Sequence, residues 1–240
     1  MQTRRHILHG LLATNACAVA GTVPIAAAAQ PPDILKDRFQ FVGPEDDPEF
    51  HSTTAAVGTT PARHDEVATG FRLLLDVDRT HGPLGAARYF ERITRKNKDD
   101  EPYNWEWTTR ANPVIVGFFS LTNTLPSDGD QTHWCAAFVN FCLYAAGKKG
   151  TYSALSGSFR SYGNNTDEPK PGDIVVFART GAQGASGFGH VAFFLEDRGD
   201  NVLCLGGNQR GTTGSTGAVV EAEFSKTSSG LILYGYRKIP

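Results

Sequence analysis

The chain lacks several features that mark common classes of binding protein. Its formal net charge is only −2 over 240 residues, so a nucleic-acid or anionic-membrane partner is not expected. No histidines and cysteines stand at metal-ligand spacing, and we expect no metal. The glycine-rich stretch 181–189 has no lysine and no following helix, unlike a phosphate-binding loop. With no internal repeat either, the sequence gives no reason to expect a cofactor.

Charge is also missing from residues 7–29, which follow the paired arginines Arg4 and Arg5. A basic start, an uncharged run and a small-residue end before Gln30 are typical of a cleaved export signal. Paired arginines ahead of an isoleucine and a leucine indicate the twin-arginine route. We therefore predict a signal peptide over residues 1–29 and a periplasmic or secreted mature protein.

Two alternatives for this segment fit less well. A transmembrane anchor would need a more apolar run, and Thr14, Asn15 and several alanines dilute this one. Cys17 follows Ala16, as in a lipoprotein signal, but Thr14 and Asn15 fit that pattern poorly.

Cysteine is scarce, with four in the chain. Removing residues 1–29 takes away Cys17 and two arginines but no acid, which leaves a net charge of −4 and an odd number of cysteines. In an oxidising compartment this count suggests one free reactive thiol. Cys142 and Cys204 either form a disulfide or are two buried thiols that act as small apolar residues.

In the remaining chain the spacing of apolar residues changes from helical to strand-like. Residues 30–62 are rich in proline, threonine and alanine and are read as a linker. Apolar spacing predicts helices over 62–75 and 84–94, a short buried helix or a strand over 112–119, and a helix over 134–146 that ends at Gly147. Five strands are predicted at 173–177, 191–195, 201–205, 218–221 and 231–237, with a hairpin turn at 198–201. Helices first and antiparallel strands later indicate an α+β fold.

The most informative stretch is Asp130–Val139, which puts Cys135 in the first turn of the apolar helix. The partial positive charge and free N–H groups of a helix start favour a thiolate over a thiol. His190 opens an apolar strand, and Asn208 follows Gly206 and Gly207 just past another strand. Cysteine, histidine and a polar orienting residue, in this order, are the layout of a thiol hydrolase.

The neighbouring residues have both ordinary and functional interpretations. His133 is either a solvated loop residue or a substrate contact. The aromatic stretch 102–107, which contains Trp105 and Trp107, is either core or a surface that meets sugars or peptides. We take His133, Trp134, Trp105 and Trp107 as the candidate substrate-binding residues.

Several of these segments together resemble the CHAP domain, a family of cysteine, histidine-dependent amidohydrolases and peptidases allied to the NlpC-type and papain-like folds. The resemblance covers roughly residues 110–240. It rests on five segments of this sequence: 130–137, 139–143, 169–177, 189–191 and 206–209.

The resemblance implies a papain-like α+β fold in which the cysteine helix packs on an antiparallel sheet of about five strands. It also implies Cys135 as nucleophile, His190 as general base and Asn208 as the residue that orients the imidazole. The usual substrate is an amide in or next to the stem peptide of peptidoglycan. We thus predict a helical region at 63–109, a monomeric catalytic domain at 110–240 and peptidoglycan hydrolysis. Two alternatives stay open: a non-catalytic wall-binding module, and a thiol peptidase that acts on protein or small amides.

Overall fold

The structure is a computed structural model that describes residues 60–210, 217–228 and 230–240. The predicted signal peptide, with Arg4, Arg5 and Cys17, and residues 30–59 of the predicted linker lie outside the described residues. The described residues all belong to one compact unit. Within them, no helix is long and apolar enough to cross a membrane.

Five α-helices occur in the described residues, and four of them were predicted. The short third helix settles the choice left open by the sequence: it is a helix because Pro113 occupies its first turn and the Asn112 side chain caps it, accepting a hydrogen bond from Val114 N at 2.9 Å. Gly147 ends the fourth helix at a φ of +72°, as expected for a helix cap. The helices are α1 (His64–Leu75), α2 (Gly82–Glu91), α3 (Pro113–Phe118), α4 (Cys135–Ala145) and α5 (Gly181–Ala185).

The strands form one antiparallel sheet, and the α+β class is confirmed. All five predicted strands are present, and Gly199 turns the predicted hairpin at a φ of +72°. The strand that sequence reasoning missed, Asn164–Thr166, is short and polar and therefore has no apolar alternation to find. The strands are β1 (Asn164–Thr166), β2 (Ile174–Arg179), β3 (Gly189–Arg198), β4 (Asn201–Gln209), β5 (Ala218–Ser225) and β6 (Leu231–Lys238), in the sheet order β1-β6-β2-β3-β4-β5.

Aromatic side chains join the helices to each other and to one face of the sheet. Phe90 of α2 meets Phe118, Phe138 and Phe141 edge-on, with ring centroids 5.0, 6.1 and 5.6 Å apart. Phe138 of α4 reaches Phe193 of β3 at 6.5 Å. The helical region before residue 110 therefore shares a core with the helix that begins at the candidate nucleophile.

The opposite face of the sheet encloses a second apolar cluster because the sheet is strongly curved. Phe177 of β2 and Phe224 of β5 lie 5.2 Å apart between ring centroids, although two strands separate β2 from β5 in the sheet. The cluster is formed by Val175, Phe177, Ala192, Phe194, Val202, Cys204 and Tyr236, with Phe224, Leu231 and Leu233 against it.

An extended segment before α3 lies along the start of β5. Glu106 N donates to Gly217 O at 2.8 Å, and Val219 N donates to Asn104 O at 2.9 Å. Trp105 forms an isolated antiparallel bridge with Ala218. This pairing brings residues 104–106 to the part of the sheet where β4 ends and β5 begins.

Candidate active site

Cys135 is the first residue of α4, as predicted, and it is buried with 6% of its surface exposed. Its backbone N–H has no acceptor within the helix, because the first turn of a helix leaves its N–H groups free. Burial raises the pKa of the Cys135 thiol, while the backbone N–H groups of Val191, Ala136 and Cys135 itself act to lower it. Burial therefore outweighs the helix start in this closed site, and the thiol is protonated at neutral pH, contrary to the expectation of a thiolate.

His190 is the second residue of β3 and is also buried, at 7% exposure. Its ring stacks on Phe224 with the centroids 4.9 Å apart, and its Nε2 lies 2.8 Å from Gln209 Oε1. Burial lowers the pKa of His190 to about 4, and the hydrogen bond to Gln209 opposes this shift. The imidazole is therefore neutral at pH 7 and able to accept a proton.

Gln209 fixes which nitrogen of His190 carries the proton. Its Nε2 donates to Val220 O at 2.6 Å and to Cys204 O at 3.3 Å, so its Oε1 must point the other way, toward His190. The Cys204 thiol donates to the same Oε1 at 3.5 Å. Because Oε1 can only accept, His190 Nε2 must be the donor and His190 Nδ1 keeps its lone pair. This is the tautomer that a general base needs.

Asn208 does not occupy the place predicted for it. Its side chain lies between Glu106 and the start of α4. In the amide orientation that satisfies both neighbours, Nδ2 donates to Glu106 Oε1 at 3.3 Å and Oδ1 accepts from Trp134 N at 3.1 Å. The backbone of Asn208 is left-handed, with a φ of +55°, which turns its side chain away from that of Gln209. The orienting position on His190 therefore belongs to the next residue, Gln209.

The two glycines ahead of Asn208 make room for this arrangement. A Cβ at Gly206 would lie 2.6 Å from Gln209 Oε1, so only glycine leaves space for the Gln209 amide to reach His190. A Cβ at Gly207 would lie 2.4 Å from the Trp134 ring and 2.7 Å from Phe138, so Gly207 lets α4 approach β4 closely. Both glycines are therefore required by close packing at this end of β4.

The structure brings the start of α4 to the start of β3. The Val191 N–H that acts on the Cys135 thiol belongs to the residue directly after His190. This N–H is accessible because β3 pairs with β4 only from Phe193 onward. Among the described residues no hydrogen bond joins the Cys135 thiol to the His190 imidazole. The His190 ring stacks on Phe224 with the second apolar cluster, so it is the backbone next to His190, and not its ring, that the structure brings to the thiol. Catalytic hydrogen bonds are often absent without substrate and form only in the complex.

Two of the four predicted substrate-binding residues lie in the core. Trp134 and Trp107 are completely buried, so neither ring can meet a substrate in this structure. The Trp107 indole N–H donates to Pro102 O at 2.9 Å, and the Trp134 indole N–H donates to Glu106 Oε1 at 2.9 Å. Trp105 is half-buried, and His133 is exposed. Of the four, His133 is therefore the most accessible to a ligand.

Asp130 is a buried carboxylate near the site that sequence reasoning left without a role. Its Oδ2 accepts hydrogen bonds from Trp107 N at 2.8 Å and Asn112 N at 2.9 Å, and it is fully buried. Burial raises the pKa of Asp130 to about 6, although those two N–H groups act to lower it. Asp130 ties the segment before α3 to the loop that leads into α4.

The buried Asp130 and His190 should give the stability of the protein opposing dependences on pH. The lowered pKa of His190 means that the unfolded chain binds a proton between pH 6.5 and about 4 that the folded chain does not, so stability falls as the pH falls. The raised pKa of Asp130 means that the folded chain binds the extra proton between pH 3.8 and about 6, so stability rises as the pH falls. Each contribution is about 3 kcal/mol in size.

Asp130→Asn, which retains an oxygen for Trp107 N and Asn112 N, should remove one of these contributions. Urea unfolding at a series of pH values is expected to show a steeper loss of stability from pH 6 to pH 4 in Asp130→Asn than in the wild type. Thr132→Ser, which keeps the hydroxyl that accepts from Asp128 N at 3.0 Å and adds or removes no titratable group, is the control and should leave the slope unchanged. Equal slopes in Asp130→Asn and the wild type would refute the opposing contributions.

The cysteines of the described residues are all free thiols, namely Cys135, Cys142 and Cys204. Cys142 and Cys204 are fully buried, which agrees with the alternative in which they act as small apolar residues. No group of three histidine, cysteine, aspartate or glutamate side chains in the described part of the chain is placed to hold a metal ion.

The helices and the antiparallel sheet are compatible with a papain-like α+β fold, with a buried cysteine at a helix start and, at a strand start, a buried histidine held by an amide. Residues 127–208 match the model of the CHAP domain, which agrees with the resemblance seen in the sequence. No curated protein matches the chain. The matched range includes Cys135 and His190 and ends one residue before Gln209.

Proposed function

We propose that the protein is an exported cysteine amidase or endopeptidase that cleaves an amide bond of peptidoglycan, with Cys135, His190 and Gln209 as its catalytic group. The observation that carries this proposal is the Gln209–His190 hydrogen bond, which leaves Nδ1 of a neutral, buried imidazole free to act as a base. The CHAP match supports the hydrolase class and an amide substrate.

The neutral state of both groups determines how the reaction would start. In the substrate complex, which must bring His190 Nδ1 to the thiol, the thiol proton passes to Nδ1 as the sulfur attacks the amide carbonyl, rather than beforehand, because burial disfavours the separated thiolate and imidazolium. The imidazolium then protonates the leaving amine, and water hydrolyses the thioester. The free N–H of Cys135 supplies a hydrogen bond to the carbonyl oxygen as it gains charge; such a donor contributes roughly 3 kcal/mol.

The alternative of a non-catalytic wall-binding module depended on an exposed aromatic surface. The aromatic stretch that would have been its working surface is largely buried, with Tyr103 at 2% and Trp107 at 0% exposure. A second alternative, a thiol peptidase acting on protein or small amides, uses the same catalytic group and differs only in substrate.

Digestion of purified peptidoglycan followed by mass spectrometry of the soluble fragments tests the proposed substrate. Hydrolysis at an amide is expected to produce pairs of fragments whose masses sum to the parent plus one water. Casein and a set of short peptide amides serve as the comparison substrates. Turnover of these with no release from peptidoglycan would favour the second alternative, and no hydrolysis of any of them would contradict the enzyme proposal.

Export through the twin-arginine route is the proposed reason that a folded enzyme reaches an extracytoplasmic substrate. Replacing Arg4 and Arg5 together by lysine is expected to retain the protein in the cytoplasm as the uncleaved precursor. Fractionation with N-terminal sequencing should find the wild-type exported form beginning near Gln30. An exported wild-type protein that still begins at Met1 would overturn the predicted cleavage.

A further inference from the structure

The Glu106 carboxylate joins three parts of the chain that meet at the candidate site. Its Oε1 accepts from the Trp134 indole at 2.9 Å and from Asn208 Nδ2 at 3.3 Å. Its Oε2 accepts from Gly217 N at 2.7 Å. Trp134 immediately precedes Cys135, and Asn208 immediately precedes Gln209. One carboxylate thus touches the residue before the candidate nucleophile and the residue before the candidate orienting amide.

The same contacts hold the backbone at the start of α4 from two sides. Asn208 Oδ1 accepts from Trp134 N at 3.1 Å, while Glu106 holds the indole of the same residue. Gly207 permits this close approach because any side chain there would collide with the Trp134 ring. We call the three residues Glu106, Trp134 and Asn208 the helix-start clamp.

We propose that Glu106 is a positioning residue that, through Trp134 and Asn208, holds Cys135 in register with His190 and Gln209. Glu106 lies in the segment before α3, outside the residues matched by the CHAP model, 127–208. The helical region of the chain therefore contributes to the geometry of the site as well as to the core. This inference rests on the proposed function for its effect on catalysis, but its effect on the exposure of the thiol does not depend on it.

Glu106→Gln tests the clamp with little change in volume. Glutamine has one acceptor oxygen, so it can keep the Trp134 and Asn208 contacts or the Gly217 contact but not both. With the start of α4 less well placed, kcat on soluble stem-peptide fragments of peptidoglycan should fall about ten- to a hundredfold with KM nearly unchanged. The alkylation rate of Cys135 by iodoacetamide, followed by peptide mass mapping of the full chain, should rise at least about threefold as the buried thiol becomes accessible.

Glu101→Gln is the matched control because Glu101 also accepts three hydrogen bonds in the same connecting segment, from Thr108 N, Thr108 Oγ1 and Asn97 Nδ2, and touches neither α4 nor β4. It should leave kcat and the alkylation rate unchanged. A Glu106→Gln variant that only melts at a lower temperature, with kcat within twofold of the wild type or with the alkylation rate of Cys135 unchanged, contradicts the proposal. If the wild type hydrolyses no substrate, the proposed function fails while the alkylation rates still decide on the clamp.

Discussion

Cys135→Ser is expected to abolish amide hydrolysis, lowering kcat by at least about a thousandfold, while the melting temperature stays close to that of the wild type. The serine hydroxyl is nearly the size of the thiol, but it is far less acidic and intrinsically less nucleophilic, so it attacks the amide much more slowly. The Cys135 side chain makes few contacts that the hydroxyl could not replace, since its partners are backbone N–H groups. The assay is peptidoglycan digestion, with thermal unfolding followed in parallel.

Cys142→Ala is the matched control because Cys142 lies on the same helix, two turns further on, and is fully buried. Removing its sulfur should cost roughly 1 kcal/mol of stability by leaving a small cavity, with activity retained. Loss of hydrolysis in Cys142→Ala comparable to that in Cys135→Ser, with both proteins folded, would contradict the assignment of the nucleophile.

Gln209→Ala is expected to lower kcat by about a hundredfold or more, because His190 then lacks the acceptor that holds its Nε2–H tautomer. The variant should also be less stable, because Val220 O and Cys204 O lose their donor and stay buried without a partner. The expected loss in the free energy of unfolding is about 1–3 kcal/mol. Steady-state kinetics at a temperature well below unfolding separates the two effects.

Gln209→Glu tests the same contact through the direction in which the pKa of His190 shifts. One carboxylate oxygen still accepts from His190 Nε2 and the group adds a negative charge, so the pKa of His190 should rise and the acid limb of the pH–rate profile should move to higher pH. The other oxygen cannot donate to Val220 O and Cys204 O, so the variant should lose stability as Gln209→Ala does. Asn208→Ala provides the comparison. An acid limb that moves in Asn208→Ala but not in Gln209→Glu, with both variants folded, would return the orienting role to Asn208, because its clamp contacts with Glu106 and Trp134 do not act on the pKa of His190.

The sequence predicted the elements that carry the chemistry because their signals are local. Apolar spacing and a terminal glycine define α4, and β-branched runs between turns define five of the six strands. Cys135 and His190 were identified from their positions at the starts of such elements. The CHAP resemblance was likewise confirmed, by the match over residues 127–208.

Local sequence signals do not predict which of Asn208 and Gln209 faces His190. Both are polar amides at the end of β4, and which of them faces His190 depends on a bulge between Gly206 and Gln209 and on the left-handed backbone of Asn208. A shift of one residue along a strand reverses the face that a side chain occupies. Spacing alone could not reveal that reversal.

The sequence also did not predict which aromatic side chains are buried. Tryptophans such as Trp107 and Trp134 often line ligand-binding surfaces, yet both rings lie in the core because the segment before α3 folds against β5. The same long-range packing brings Glu106 to Trp134, a contact between residues 28 positions apart in the chain. It also raises the thiol pKa of Cys135 against the effect of the helix start.

Limited alkylation of the thiols tests the central claim, that Cys135 is the nucleophile of hydrolysis, most directly. Samples of the full chain are treated with iodoacetamide for increasing times, and each is divided between peptidoglycan digestion and peptide mass mapping. Residual activity should fall in direct proportion to the unmodified fraction of Cys135, while Cys142 and Cys204, both fully buried, remain unlabelled. Full hydrolytic activity in a sample whose Cys135 is completely alkylated would contradict the account.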